Sequence, residues 1–534
     1  MMDLLKNVFR NLARISSRVG RVALTVLVIP YTSAFAQNRT VHIESGLVQG
    51  IPGNDSRISA FLGIPYVAPP VGDLRWREPQ PVPAWSGVRK ADHFSASCMQ
   101  HISGERLPWT REFLAQFPIS EDCLYLNVWT PEIRTKVPKA VLLWIHGGGF
   151  VEGAASPPMY HGEQLAKMGI VVVSINYRLG IGGFFALPEL TQESAHHASG
   201  NYGLLDILAA LQWTQRNIRA FGGDPARVTI AGQSAGATAE ELLVASPLAK
   251  GLFHAAIIES GATLSDPTGG TLAQGEQQGT QFAAFAKKPT LKELRALSAE
   301  ELQTLGSNAH LRFGPDIDGW FLSESVPAVF TAGRQNDVVT IDGTVADEGS
   351  SGKSYGKLTP EAFQQQIRAS YPSFADEFLR LYPSNTQAEC TESQKQLERD
   401  RWLVSMYFWG VKRAATSKTS VYTYYFSHVL PWPEHPEFGA FHSAEIPYWT
   451  RNLKALDRPY TSEDWAISDT ISRYWVNFIK TGNPNENGLP VWPAFKPTEQ
   501  TTMELGGRIA PRPVVSPEKF NLWTRYLKVN PELQ

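Results

Sequence analysis

Six residues, Ala231-Gly232-Gln233-Ser234-Ala235-Gly236, constrain the fold of this chain most, because their Gly-x-Ser-x-Gly spacing falls between a strand and a helix. Arg227-Val228-Thr229-Ile230-Ala231 ahead of Gly232 is apolar and β-branched, the composition of a short buried strand. Ala237-Thr238-Ala239-Glu240-Glu241-Leu242-Leu243 behind it reads as a helix. A sharp strand-to-helix turn lifts its serine clear of the backbone, and small residues on both sides let the turn close. The helix start also offers free N–H groups to an anion beside Ser234. Ser234 is therefore the candidate nucleophile of an α/β sheet protein.

Spacing alone is weak evidence. With 43 glycines in 534 residues, a chance match is expected in roughly one chain in five of this size. The chain carries a second copy, Gly352-Lys353-Ser354-Tyr355-Gly356, after Asp347-Glu348-Gly349-Ser350-Ser351 and shortly before Pro360. With no strand ahead of it, that copy reads as loop. It is no phosphate-binding loop either, since Asp347 stands where the first glycine is needed.

Residues 1–36 read as a targeting segment and not as part of the fold. Lys6, Arg10, Arg14, Arg18 and Arg21 form a basic stretch, Val22 to Ile29 an apolar run, and Ala34-Phe35-Ala36 a small-x-small cleavage site. The apolar part, broken by Pro30, is too short to span a membrane comfortably. There is no Arg-Arg pair, and Gln37 after the cleavage site is not a lipid-anchor cysteine. An exported protein follows, periplasmic or secreted. Removing the segment takes away five positive charges and Asp3, which moves the formal net charge from −2 to −6. A mildly acidic chain without basic runs gives no reason to expect nucleic acid or an anionic membrane as partner. No linker, charge block or repeat divides residues 37–534, so a single domain is expected.

Cys98 and Cys123 stand 25 apart, and an exported protein normally oxidises such a pair. Closing that loop contributes about 3 kcal/mol in the chain-entropy model. Cys390 is left over as a candidate free thiol. No zinc-ligand spacing occurs, and the His196-His197 pair lacks an HExxH frame and reads as surface loop.

Short apolar runs at Ala140–Ile145, Ile170–Asn176, Val228–Ala231 and Ala255–Glu259 alternate with helical sequence. In Tyr202 to Ile218, Leu204, Leu208 and Leu211 share one face, widened by Leu205 and Ile218. Strands buried on both faces and alternating with helices predict a mostly parallel sheet. Its reactive groups gather beyond the C-terminal strand ends, where Ser234 and His146-Gly147-Gly148-Gly149-Phe150 both fall. From Thr263 to Asp337 and Gly352 to Ser420 the pattern turns helical, as in Pro360–Arg368, which predicts excursions covering the sheet. Ser462 to Lys480 predicts a capped helix with Ile471, Trp475, Phe478 and Ile479 on one face, stopped by Gly482 and Pro484.

A serine hydroxyl needs a base within hydrogen-bond reach. After an elbow serine the partners follow in the order acid, then histidine. His428, His435 and His442 are the candidates, and the small residues around His442 favour it. For the acid, Asp342, Asp347 and Glu348 all follow Val338-Val339-Thr340-Ile341, and residue chemistry does not choose among them. Gly147-Gly148-Gly149 can bring backbone N–H groups close to a substrate, and with the N–H of Ala235 would surround an oxyanion. Each such donor is typically worth about 3 kcal/mol in the transition state.

At these residues the chain resembles the type-B carboxylesterases, which share the α/β-hydrolase fold with cholinesterases. The resemblance runs over nearly all of residues 37–534. It includes Phe61-Leu62-Gly63-Ile64-Pro65-Tyr66, Glu121-Asp122-Cys123-Leu124-Tyr125-Leu126-Asn127-Val128, Asn176-Tyr177-Arg178-Leu179-Gly180, Phe221-Gly222-Gly223-Asp224-Pro225 and Thr481-Gly482-Asn483-Pro484. It implies a triad of Ser234, Glu348 and His442, oxyanion donors at Gly148, Gly149 and Ala235, a supporting Ser260, and a Cys98–Cys123 disulfide. It departs at Gln233, where the family usually has Glu, and at Cys390, which matches no family disulfide. Trp109 lies in the first disulfide loop but is poorly placed for the choline-binding tryptophan of cholinesterases, and reads as an entrance aromatic or a packing residue.

The resemblance implies a serine carboxylesterase acting on small-molecule esters through an acyl-enzyme, without metal or organic cofactor. Lipase, thioesterase, lactonase or amidase activity uses the same machinery, and the family also holds non-catalytic adhesion proteins that lose a triad residue. Phe150, Phe184, Phe185 and Trp320 are candidate pocket aromatics, and the loops 99–122 and 264–337 would size the pocket.

Overall fold

The β-branched and aliphatic runs along the chain line up, in the computed structural model, into one eleven-stranded sheet. The structure describes residues 39–102, 104–261 and 268–529. The expected targeting segment 1–36 lies outside the described residues. In chain order the strands are β1 (Ile51–Pro52), β2 (Ser59–Pro65), β3 (Tyr125–Thr130), β4 (Lys139–Ile145), β5 (Val171–Ile175) and β6 (Gly223–Gln233). They continue with β7 (Ala255–Glu259), β8 (Val339–Val345), β9 (Val421–Phe426), β10 (Thr501–Leu505) and β11 (Ala510–Pro513).

Their spatial order is β11-β10-β9-β8-β7-β6-β4-β5-β3-β2-β1. From β5 across to β10 every pairing is parallel. The flanks, β3 on β5, β2 on β3, β1 on β2 and β11 on β10, are antiparallel. Central strands such as β5 and β7 are buried along their whole length, as strands covered on both faces must be. The fold is the expected α/β-hydrolase type, a mostly parallel sheet flanked by helices.

Register brings the strand ends together. Ile145 pairs with Gly232, Gln233 with Glu259, and Glu259 with Gly343. The residues that follow β4, β6, β7 and β8 therefore emerge side by side at one edge.

The covering helices include α1 (Tyr202–Asn217), α2 (Ala235–Ala245), α3 (Leu272–Ala286), α4 (Gln387–Thr416) and α5 (Ser462–Thr481). Helix α1 is buried on more than its leucine face, because Asp206 on its far side is paired with Arg178 at 2.8 Å. Helix α5 starts where the Thr461 N–H donates to Asp464 Oδ2 at 2.7 Å, and stops at Gly482, whose φ of 75° is left-handed. Segment 272–416 is mainly helical up to β8 and again after it, as the sequence pattern predicts.

Cys98 and Cys123 form a disulfide. The loop it closes holds a two-stranded sheet of Ser97–Cys98 with Ile119–Ser120. Cys390 is free and buried in α4, where its thiol donates to the Leu358 carbonyl at 3.4 Å. Among the described residues no helix is long and apolar enough to cross a membrane.

Candidate active site

Ser234 sits between the last residue of β6 and the first of α2, with φ 58° and ψ −124°. That conformation is costly for a residue with a side chain, so the surroundings must hold it. They do so by close approach. A Cβ on Gly236 would lie 2.1 Å from the Ile145 carbonyl oxygen, and one on Gly232 2.7 Å from the Gly236 carbonyl carbon. The Ser234 N–H donates to the Glu259 carbonyl at 2.9 Å, which ties the turn to β7. Only a chain with glycine at both positions can cross β4 this tightly.

Of the three candidate histidines, only His442 reaches Ser234's surroundings. It lines both cavities that Ser234 lines, of about 240 and about 440 Å³. His428 is engaged by Asp464 at 2.8 Å and His435 by Glu437 at 3.1 Å. Of the three candidate acids, Glu348 accepts from His442 Nδ1 at 2.5 Å. Its other oxygen accepts from the Thr344 hydroxyl at 2.6 Å and the Val345 N–H at 3.0 Å. Asp347 points elsewhere, accepting from Ala440 N–H and the Tyr355 hydroxyl. It thereby clamps the turn after β8 to the His442 loop, where Asp347 and Phe441 form a parallel bridge. Asp342 is buried within β8 with neither oxygen partnered among the described residues, and burial pushes its carboxyl well up.

With Nδ1 committed to Glu348, His442 keeps Nε2 for the cavity side. Ser234 and His442 share the cavity walls without a hydrogen bond between them; in ligand-free sites such contacts commonly tighten only when substrate binds. Burial opposes charge on the His442 imidazole, but the Glu348 carboxylate against it raises its pKa above the ordinary value. Burial likewise works against ionised Glu348, and the imidazole with the Thr344 and Val345 donors holds its pKa below the usual range. The pair favours carboxylate and imidazolium together.

The glycine loop lies beside them. Gly147, Gly148 and Gly149 line the smaller cavity, and Gly149 and Ala235 the larger. Gly148 has φ 110°, and a Cβ there would meet the Glu152 carbonyl oxygen at 2.1 Å. The N–H groups of Gly148 and Gly149 donate to no described residue. Ala235, first in α2, has no helical acceptor four residues back for its N–H. Ser260 lines the larger cavity, and its buried hydroxyl has no partner among the described residues.

The remaining candidates divide. Phe150 and Phe184 line the larger cavity, with ring centroids 5.2 Å apart. Phe185 is instead core, against Trp76 and Phe282. Trp320 stacks on His196 with centroids 3.8 Å apart, away from both cavities, and His196 and His197 are exposed. The second glycine-serine copy, around Ser354, lies in a run of turns.

Trp109 both lines the smaller cavity and backs the histidine, its Nε1–H donating to the His442 carbonyl at 3.1 Å and the Ser443 hydroxyl at 3.2 Å. Ser443 in turn donates to Gln233 Oε1 at 3.0 Å, joining disulfide loop, histidine loop and elbow. Gln100 pins the chain after the glycines, exchanging two 2.8 Å hydrogen bonds with the Gly153 backbone. Residue patterns did not point to Thr344, Gln100 or Ser443; only the position of Ser443 beside His442 carried any signal.

Behind the site lie more buried carboxyls. Glu259 accepts from the indoles of Trp475 at 2.9 Å and Trp449 at 3.1 Å, while neither oxygen of Glu445 is partnered among the described residues. Burial raises both carboxyls.

The carboxylesterase family model matches residues 37–523. The chain is 36% identical over 517 residues to the fumonisin B1 esterase of Sphingopyxis macrogoltabida, covering 91% of each chain. It is 32% identical over 563 residues to the cocaine esterase of Homo sapiens, covering 97% of each.

Proposed function

The chain belongs to the carboxylesterase family and is a carboxylic-ester hydrolase, and from that premise we propose that Ser234, His442 and Glu348 carry the reaction in an exported protein. The observation behind this reading is the 2.5 Å hydrogen bond from His442 Nδ1 to Glu348, on the wall of cavities that Ser234 also lines. His442 Nε2 takes the Ser234 proton as Oγ attacks the ester carbonyl, and Glu348 stabilises the imidazolium. The N–H groups of Gly148, Gly149 and Ala235 hold the oxyanion, and Ser260 supports the triad. The imidazolium returns its proton to the leaving alcohol. Water, deprotonated by His442, then attacks the acyl-enzyme, and the acid leaves as Ser234 regains its proton.

Ser234→Ala is expected to lower kcat by about 10⁶-fold on any ester the parent hydrolyses. A variant that kept a tenth of parental turnover would rule Ser234 out. Two relatives named for unlike esters, of fumonisin B1 and of cocaine, support ester cleavage as the shared chemistry and leave the acyl and alcohol groups to the cavities.

Export rests on the basic stretch, the apolar run and the Ala34-Phe35-Ala36 site, with the Cys98–Cys123 disulfide suited to an oxidising compartment. N-terminal sequencing of protein from a bacterial expression host tests it. A mature chain starting at Gln37 outside the cytoplasm is expected; an intact N-terminus on cytoplasmic protein overturns it.

A further inference from the structure

Ser443, the residue directly after His442, has a φ of 92°, a left-handed value that favours glycine. A residue with a Cβ persists there only where its surroundings hold it, and strain of this kind clusters at functional sites. Ser443 is 4% exposed, so what holds it is protein.

The hold acts through its hydroxyl. Trp109 Nε1–H donates to Ser443 Oγ at 3.2 Å and to the His442 carbonyl at 3.1 Å. An indole nitrogen only donates, so the hydroxyl accepts there and its own proton needs a second partner. Gln233 Oε1 accepts that proton at 3.0 Å. Gln233 is the last residue of β6, 3% exposed, and Ser234 follows it. A Cβ on Gly147 would lie 3.3 Å from the same Oε1, so the glycine loop also closes over this amide. Gln233 Nε2, in contrast, is buried with no partner among the described residues. The amide turns its acceptor to Ser443 although its donor then goes unmet, an arrangement that costs stability.

The consequence is geometric. Ser443 stands one place after the base and Gln233 one place before the nucleophile, so one hydrogen bond joins the segments that carry the reacting pair. Glu348 fixes the imidazole at Nδ1, which sets the ring's rotation but not how far its backbone stands from Ser234. Trp109 meets the imidazole edge-on, with centroids 6.3 Å apart, and with Ser443 bounds it on another side.

We propose that Ser443 is a positioning residue for ester hydrolysis, its hydroxyl anchored on Gln233 so as to set the separation of His442 from Ser234. This rests on Ser234 being the nucleophile and His442 its base.

The test measures p-nitrophenyl butyrate turnover and the rate of fluorophosphonate labelling, which reads the same geometry without a choice of ester. The proteins compared are the parent, Ser443→Ala, Ser443→Gly, Gln233→Met and Gln233→Glu, with Ser234→Ala as background. Ser443→Ala and Ser443→Gly should each lower kcat and the labelling rate by about 10- to 100-fold, as a misplaced base does, with kcat falling more than KM changes. Their stabilities separate strain from hydroxyl. Alanine keeps the strained φ without its support and glycine adopts it freely, so Tm should be higher in Ser443→Gly than in Ser443→Ala while kcat is equally low in both. Gln233→Glu keeps an acceptor and should retain most of the kcat that Gln233→Met loses. Ser443→Ala combined with Gln233→Met should lose no more than the worse single variant, because both break one bond.

Parental kcat in Ser443→Gly, kcat that recovers together with Tm from alanine to glycine, or losses that multiply in the double variant overturn the positioning role. Ser234→Ala separates the two levels. If it labels and turns over like the parent, the nucleophile is wrong and the proposed function falls. If it is inert while the Ser443 and Gln233 variants match the parent, the positioning role alone falls.

Discussion

His442 is poised by what surrounds it. In the proposed reaction its imidazole has to be neutral to take the Ser234 proton, yet the Glu348 carboxylate raises its pKa above the ordinary 6.5. Activity should therefore rise with pH through a midpoint above 6.5, as the imidazolium loses its proton. Glu348→Gln removes the negative partner, so the midpoint should fall, and kcat should drop by about 10⁴-fold because the imidazolium and its orientation are no longer supported. A kcat/KM profile from pH 5 to 9 that is flat in the parent, or identical in the variant, contradicts a Glu348-supported base. Which carboxyl touches the histidine was not legible in the residues. Asp342, Asp347 and Glu348 follow one strand within a few positions, and the choice depends on a bridge between Asp347 and Phe441 that joins segments far apart in the chain. The family resemblance named Glu348; the residue types alone did not.

At the level of elements, the strand–turn–helix around Ser234 was legible because each part declares itself locally: a β-branched run, two glycines and a helix-forming stretch. The structure gives the spatial reason for the glycines, since β4 passes so close that the Ile145 carbonyl fills the place of a Gly236 Cβ. Gly236→Ala must push either β4 or the turn, at about 1–3 kcal/mol for overpacking. We expect a lower Tm by thermal unfolding and slower fluorophosphonate labelling of Ser234. Parental values for both would show that the turn has room it does not display. Long apolar strands and capped helices such as α5 were equally readable. The antiparallel border strands β1 and β11 were not, because short strands with proline and polar residues carry little periodic signal.

Across the whole molecule, function depends on contacts no local pattern encodes. Trp109 supports the histidine loop from 333 residues away, and it does so from inside the loop that Cys98 and Cys123 close. Reducing that disulfide should lower stability by about 3 kcal/mol in the chain-entropy model. Because the loosened loop carries Trp109, esterase activity should fall at reductant levels and temperatures where the far-ultraviolet circular dichroism is still native. Activity and ellipticity lost together would mean that the loop does not position His442.

The sheet itself ends in a way that bears on how the protein behaves when crowded. A sheet of eleven strands has two open borders, and a border strand exposes a row of unpaired N–H and C=O groups that another chain can extend. Here the borders are the two-residue β1 and the four-residue β11, and proline interrupts both, at Pro52 and at Pro511 and Pro513. Proline has no N–H to give, so an incoming strand meets a broken row of donors. The same segments that were hardest to read as strands leave the sheet's borders poor templates for self-association.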